Sequence, residues 1–156
     1  MIQRIQSLLL LIAAAVSVVV CFITIGDFTA TEMGFEYTAF KLTNTVNNQS
    51  ISTFYVAGLW IISAILSLVT IFLFKNRSRQ VKFNGINMLV MLAALVVMLY
   101  IYPNLIFPKH VTDYNADFVH FSPWVCISLI PAVCLFFANK AIKRDENKVR
   151  AADRLR

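Results

Sequence analysis

Two histidines and two aspartates, His110, Asp113, Asp117 and His120, are the residues of this 156-residue chain whose types and spacing come closest to a reactive site. On a helix, offsets of 0, 3, 7 and 10 would bring all four within about 80° of one face. Two imidazoles and two carboxylates so placed can bind Zn²⁺ or a similar ion, or serve as acid and base at a membrane surface. Against this, Asn115 interrupts the stretch and Pro103, Pro108 and Pro123 flank it, which argues against a regular helix. The spacing also matches no metal-binding signature. The plainer reading is a polar loop that holds the chain's only two histidines. The four residues stand as candidate metal ligands. No catalytic residue and no cofactor is assigned.

The elements that would position such a loop are four long apolar runs, at about 7–25, 54–74, 85–102 and 121–138, none holding Asp, Glu, Lys, Arg or His. Hydrophobic residues make up 59% of the chain and charged residues 14%, against about 25% charged in soluble domains. A bilayer core about 30 Å thick takes about 20 helical residues, and each run is close to that length. The runs are apolar all round, as in Leu8-Leu9-Leu10-Leu11-Ile12 and Val18-Val19-Val20, so they do not alternate as barrel strands do. In lipid such runs must pair their backbone groups internally and become helices. The expected fold is an all-α membrane protein, one domain over 1–156. It is an antiparallel four-helix transmembrane bundle with a small extracytoplasmic cap of short β-strands and a cytoplasmic helical tail over 139–156.

Charge sets the expected orientation. Loop 75–84 holds Lys75, Arg77, Arg79 and Lys82 and no acid, and the tail from Asn139 holds seven Lys/Arg against three acids. Loops 26–53 and 103–120 hold one Lys each, Lys41 and Lys109, with Asp27, Glu32 and Glu36 in the first and Asp113 and Asp117 in the second. The positive-inside rule places both termini and loop 75–84 in the cytoplasm, and Arg4 agrees. The net charge of +6 is therefore a topology signal, and no nucleic-acid partner follows from it. The first run is longer than a signal-peptide core and lacks a small-x-small cleavage site, so it reads as an uncleaved span. Cys21, Cys126 and Cys134 all fall within apolar runs, which suggests no disulfide framework.

Small residues recur at helical spacing. Ala13, Ser17 and Cys21, then Ser63, Ser67 and Thr70, then Ala93 and Ala94, then Ser128 and Ala132 are expected to form the bundle seam, where helix backbones approach closely. Tyr55, Trp60, Tyr100, Tyr102, Phe121 and Trp124 fall near the outer ends of the runs and read as interfacial anchors. Phe72, Phe74, Phe136 and Phe137 do the same at the inner ends. Pro131 lies in mid-run, where it should kink the fourth helix. The outer loop is rich in aromatic and β-branched residues over 35–42, which predicts one or two short strands. Gly34 and Asn47-Asn48 read as turns. The two outer loops are expected to meet as a cap, with a strand from each.

The tail carries Glu146 with Arg150, Asp145 with Lys148, and Asp153 with Arg156 at helical pair spacing. Its residues Arg144, Asp145, Arg150, Asp153 and Arg154, together with Arg4, are the candidate contacts for a cytoplasmic protein or for anionic lipid headgroups. The start, Met1-Ile2-Gln3-Arg4-Ile5-Gln6, and the ending, Lys140-Ala141-Ile142-Lys143-Arg144-Asp145-Glu146 with Val149-Arg150-Ala151-Ala152-Asp153-Arg154-Leu155-Arg156, resemble an uncharacterised family. It comprises small four-span membrane proteins of Bacteroidota and is known as domain of unknown function 4293. The resemblance implies a bacterial inner-membrane protein and brings no activity or functional residue with it. It draws attention to the two ends, where we expect Arg4 to pair with a tail acid such as Asp145 or Asp153.

Ion- or proton-coupled transport is disfavoured, because carriers and channels place ionisable groups within the membrane and these runs hold none. The reading that fits best is a non-catalytic accessory, assembly or scaffolding subunit acting through its small-residue faces and its tail. Its expected partners are the lipid bilayer and a membrane or cytoplasmic protein, with a homo-oligomer left open. A binder or transporter of lipid or another small apolar ligand is the alternative, and a surface enzyme using the outer-loop His and Asp residues comes last.

Overall fold

The computed structural model of the chain describes residues 2–30, 33–110 and 119–154. It is mostly helical. Helix α1 (Ile2–Val20) leads into strands β1 (Thr24–Ala30), β2 (Met33–Thr38), β3 (Lys41–Asn44) and β4 (Ser50–Ser52). Helix α2 (Phe54–Phe72) turns through a short 3₁₀ segment, Leu73–Lys75, into α3 (Arg77–Val96). A π-helical stretch, Val97–Ile106, and a last α-turn, α4 (Phe107–His110), continue that helix. Strand β5 (Val119–Phe121) and a 3₁₀ entry, Pro123–Ser128, precede α5 (Leu129–Arg154).

Three helical stretches, Phe54–Phe72, Arg77–Ile106 and Pro123–Asn147, are long and apolar enough to cross a membrane. Helices of that length and composition mark a multi-pass membrane protein. The first helix is a shorter apolar one, Ile5–Val20. The run expected over 7–25 thus stops five residues early as a helix. Val18, Val19 and Val20 are β-branched and stiff at χ1, which weakens helix and favours strand. The chain closes with tight turns, Cys21 N–H to Val18 O at 3.1 Å and Phe22 N–H to Val19 O at 3.0 Å, and then enters β1.

The four long helices form a ring in which α1 packs on α2 and α5, and α3 packs on α2 and α5. Their inward positions mix large apolar residues such as Leu10, Trp60, Met91 and Leu135 with small or polar ones. Ala13, Ser17 and Cys21 of the first small-residue face are buried, as are Ser63, Ser67 and Thr70 of the second. Ala94 and Ser128 are buried as well, while Ala93 faces outward. The outer surfaces carry Leu8, Leu11, Ile65, Leu89, Val96 and Phe136, all exposed. That distribution suits lipid outside and close backbone packing inside.

Two prolines behave differently from expectation. Pro103 was expected to end the third run, but the helix passes through it by widening to π geometry over Val97–Ile106. A proline ring collides with the carbonyl four residues back in an α-helix and brings no N–H. A looser helical turn relieves that collision. Pro131 does not lie in the middle of an α-helix, because α5 begins at Leu129, straight after the 3₁₀ segment. Pro131 therefore sits in the first turn, where a missing N–H costs nothing. Loop 75–84 also proves shorter than its charges suggest. Helix α3 starts at Arg77, and the side chain of Asn76 accepts from the backbone N–H of Arg79 at 3.3 Å, capping it.

The segments on either side of α2 and α3 form a five-stranded antiparallel sheet in the order β4-β3-β2-β1-β5. Four strands come from the first loop and β5 comes from the second, so each loop does contribute. Alternation puts Phe28, Phe35, Tyr37 and Leu42 on the buried face. Thr53 clips the sheet to the bundle. Its hydroxyl donates to the carbonyls of Thr38 and Ala39 at 3.1 and 3.0 Å, one residue before α2 begins. Gly34 is a strand residue rather than a turn. It pairs with Thr29, and an added Cβ would lie 2.8 Å from the Thr45 hydroxyl. Gly26 is needed for a similar reason, since a Cβ there would sit 2.8 Å from the His120 carbonyl oxygen. The turn joining β3 to β4 does use Asn48, in the left-handed region at φ 52°, which asparagine tolerates.

Candidate functional site

The His/Asp cluster proposed from spacing is not assembled among the described residues. Asp113 and Asp117 lie outside them, as does the side chain of His110. His120 sits on β5, exposed, its backbone paired with Asp27 of β1. Among the described residues no group of three or more His, Cys, Asp or Glu is placed to hold a metal. The three cysteines are free thiols.

The polar chemistry lies instead inside the molecule, in three places. The first is a seam between α2, α3 and α5. Asn87 is its hub. It accepts from the Ser63 hydroxyl at 2.7 Å and donates from Nδ2 to the Ser67 hydroxyl at 2.8 Å. Gln80 donates to the Thr70 carbonyl at 3.2 Å, and Asn84 donates to the Leu135 carbonyl at 3.1 Å. Gln80, Asn84 and Asn87 are all buried. They recur at intervals of four and three on α3, so one stripe of that helix is amide-bearing. Asn84 Oδ1 and Asn139 Oδ1 are buried with no partner among the described residues.

The second place is the end of the bundle away from the sheet. Asp145 is only 7% exposed, and Gln6 donates to its Oδ2 at 2.6 Å. Arg77 of α3 donates to the Asp145 backbone carbonyl at 3.3 Å. Leu135, Ala138, Ile142 and Asp145 form one buried stripe, so the packed face of α5 runs on into the segment read as a solvated tail. The two ends of the chain do meet there, and Gln6 supplies the described contact. The side chains of Arg4, Arg150, Asp153 and Arg154 lie outside the described residues, and Arg144 is exposed.

The third place is the junction of sheet and bundle. Phe28 and Phe35 of the sheet meet Phe107 at ring-centre distances of 4.7 and 5.4 Å. Tyr37 of β2 stacks on Tyr102 of the π stretch, with centres 4.4 Å apart and planes 4° apart. Tyr55, on the first turn of α2, lies 6.2 Å from Tyr102. Tyr37 and Tyr102 are essentially inaccessible, as is Trp60 of α2. The phenol oxygens of Tyr37 and Tyr102 and the indole N–H of Trp60 have no hydrogen-bond partner among the described residues. Burial pushes the Tyr37 phenol well above the usual tyrosine range, and the neighbouring Tyr102 and Tyr55 phenols add to it. Trp60 and Tyr102 are thus core residues rather than interfacial anchors. Tyr55, Tyr100, Phe121 and Trp124 remain exposed, joined by Phe22 and Phe54.

Neither the amide stripe nor the phenol cluster was drawn from the sequence. The stripe was legible in principle, since Gln80, Asn84 and Asn87 share one helical face. The four basic residues over 75–84 mask it, because such a cluster reads as a loop around Gln80 and Asn84. The phenol cluster had no local signal, because its members come from three separated elements.

A family model described as Domain of unknown function (DUF4293) matches residues 2–155. No curated protein matches the chain.

Proposed function

Since the chain belongs to the DUF4293 family, whose description assigns no activity, we propose a function from the geometry of this chain. It is a four-span protein of a bacterial inner membrane, with both termini cytoplasmic and the sheet on the outer side. The short first helix is the fourth span. Its apolar part, Ile5–Val20, rises about 24 Å, short of the hydrocarbon thickness, and local thinning of the bilayer makes up the difference. It acts without catalysis, as an accessory or assembly subunit that engages a protein partner through its two polar ends.

The observation that carries this reading is where the small and polar faces go. Both small-residue stripes and the amide stripe are consumed inside the ring of helices, while the lateral surface is large and apolar. A partner that reads more than grease must therefore read the ends. At one end stands a sheet whose edge strands β4 and β5 have no strand paired on their outer sides among the described residues. At the other stands α5 with its basic residues, beside the Arg77–Arg79 turn. Anionic headgroups at the inner face suit the same charges.

Gentle detergent extraction of a version tagged at the N-terminus, followed by mass analysis, tests the proposal. A stoichiometric protein that is lost when residues 148–156 are deleted, or when charges are placed on the β5 edge, supports it. A preparation that carries lipid alone and no protein, under extraction mild enough to preserve known complexes, overturns it in favour of a lipid binder.

A further inference from the structure

The phenol cluster at the sheet–bundle junction goes beyond the accessory reading. Two phenols and one indole are buried there or in the adjacent turns of α2 without any partner among the described residues. Leaving a buried donor unmatched costs about 1–3 kcal/mol, and native interiors rarely do so. Indole N–H only donates, and a phenol kept protonated in an apolar cage donates first. The missing partner is therefore an acceptor.

Its surroundings narrow the chemistry. The cluster is walled by Phe28, Phe35 and Phe107. The groups that act on the Tyr37 phenol are the Tyr102 and Tyr55 phenols, with no described acid or base among them. A neutral ligand suits that setting, and an ion does not. Tyr55 is 44% exposed and its ring lies 6.2 Å from that of the buried Tyr102, so it links the cluster to the surface, where Phe54 and Phe22 are exposed at 66% and 73%. An aromatic belt of that kind marks the membrane interface, the depth at which lipid carbonyls and the heads of membrane-soluble carbonyl compounds reside.

We propose that Tyr37 and Tyr102, reached past Tyr55, form a binding site for the carbonyl oxygens of a neutral membrane-soluble molecule, either a glycerolipid ester or a quinone. The two phenols donate to the carbonyl oxygens, and the stacked rings hold a flat group at their edge. The site exists because the π stretch brings Tyr102 under the sheet while β2 lowers Tyr37 onto it.

The test uses the full chain in nanodiscs, with a Trp124→Phe background so that Trp60 is the remaining indole. Ether-linked phosphatidylcholine discs contain no ester carbonyl, and ester-linked discs do. Decylubiquinone is titrated into the ether discs while Trp60 fluorescence is read, and the thermal unfolding midpoint is compared between the two lipids. Saturable quenching that weakens about ten- to a hundredfold in affinity in Tyr37→Phe/Tyr102→Phe, the effect of two lost hydrogen bonds, assigns the site to a quinone. A higher midpoint in ester than in ether discs that vanishes in the same variant assigns it to lipid. Phenylalanine keeps both rings, and the single variants Tyr37→Phe and Tyr102→Phe serve if the double one does not fold. No saturable quenching together with equal midpoints in both lipids overturns the proposal and leaves the phenols bonded to water or to each other.

Discussion

Asn87→Ala tests the interior most directly. Asn87 joins α3 to α2 through two hydrogen bonds, one accepted from Ser63 and one donated to Ser67, at 2.7 and 2.8 Å. Interhelical hydrogen bonds in membranes average about 0.6 kcal/mol because the separated helices find other partners. Here Ser63 and Ser67 can each turn back to a carbonyl of their own helix. Two such bonds give about 1.2 kcal/mol, and the buried amide's lost packing contributes further, for a total of about 1–2 kcal/mol. Unfolding in mixed micelles of rising sodium dodecyl sulfate, followed by circular dichroism, measures it. Double-mutant cycles with Ser63→Ala and Ser67→Ala should each return a coupling near ~0.6 kcal/mol. Asn104→Ala is the control. That side chain is exposed and, among the described residues, bonds to the Tyr100 carbonyl of its own helix, so its cost should stay within about 0.5 kcal/mol. A loss below ~0.3 kcal/mol for Asn87→Ala with no coupling to either serine would refute the hub.

Three further outcomes follow from the geometry. Gly26→Val should drive β5 off β1, since even a Cβ meets the His120 oxygen at 2.8 Å and the Phe121 Cα at 3.3 Å. The expected cost is about 1–3 kcal/mol, with faster amide exchange at residues 119–121, and unchanged exchange there would count against the packing. Asp145→Ala should cost about 1.5–3 kcal/mol by stranding the Gln6 amide, whereas Asp145→Asn keeps an acceptor and most of the stability. Equal losses for the two would show that charge, not the hydrogen bond, matters. The Tyr37 phenol is raised above its unfolded value of about 10, so the unfolded chain loses that proton first. Its contribution is complete below about pH 10 and declines as pH rises further. Tyr37→Phe should therefore flatten the alkaline fall in unfolding free energy, and an unchanged slope would remove the phenol as its cause.

The sequence by itself determined the long apolar helices, most of the small-residue seam and the presence of strand around 35–42, but not a sheet with four strands from the first loop. Each rests on local pattern: ionisable residues excluded over a bilayer's thickness, small side chains every four residues, aromatic and β-branched residues over 35–42. Helix ends were less legible. The expected boundaries at 25 and 102 assumed that an apolar run is a helix and that proline ends one, but β-branched valines released α1 early and a π turn carried the third helix past Pro103. What only the tertiary structure decided is which polar side chains are inside. Asn84 and Asn87 look like residues near a basic loop until α3 is seen to begin at Arg77 and to turn them toward α2 and α5. Tyr37, Tyr55 and Tyr102 are 18 to 65 positions apart, and their meeting depends on a sheet folding back over the bundle. Hydropathy is a property of short windows, whereas the partner of a buried hydroxyl is set by how distant elements close on one another.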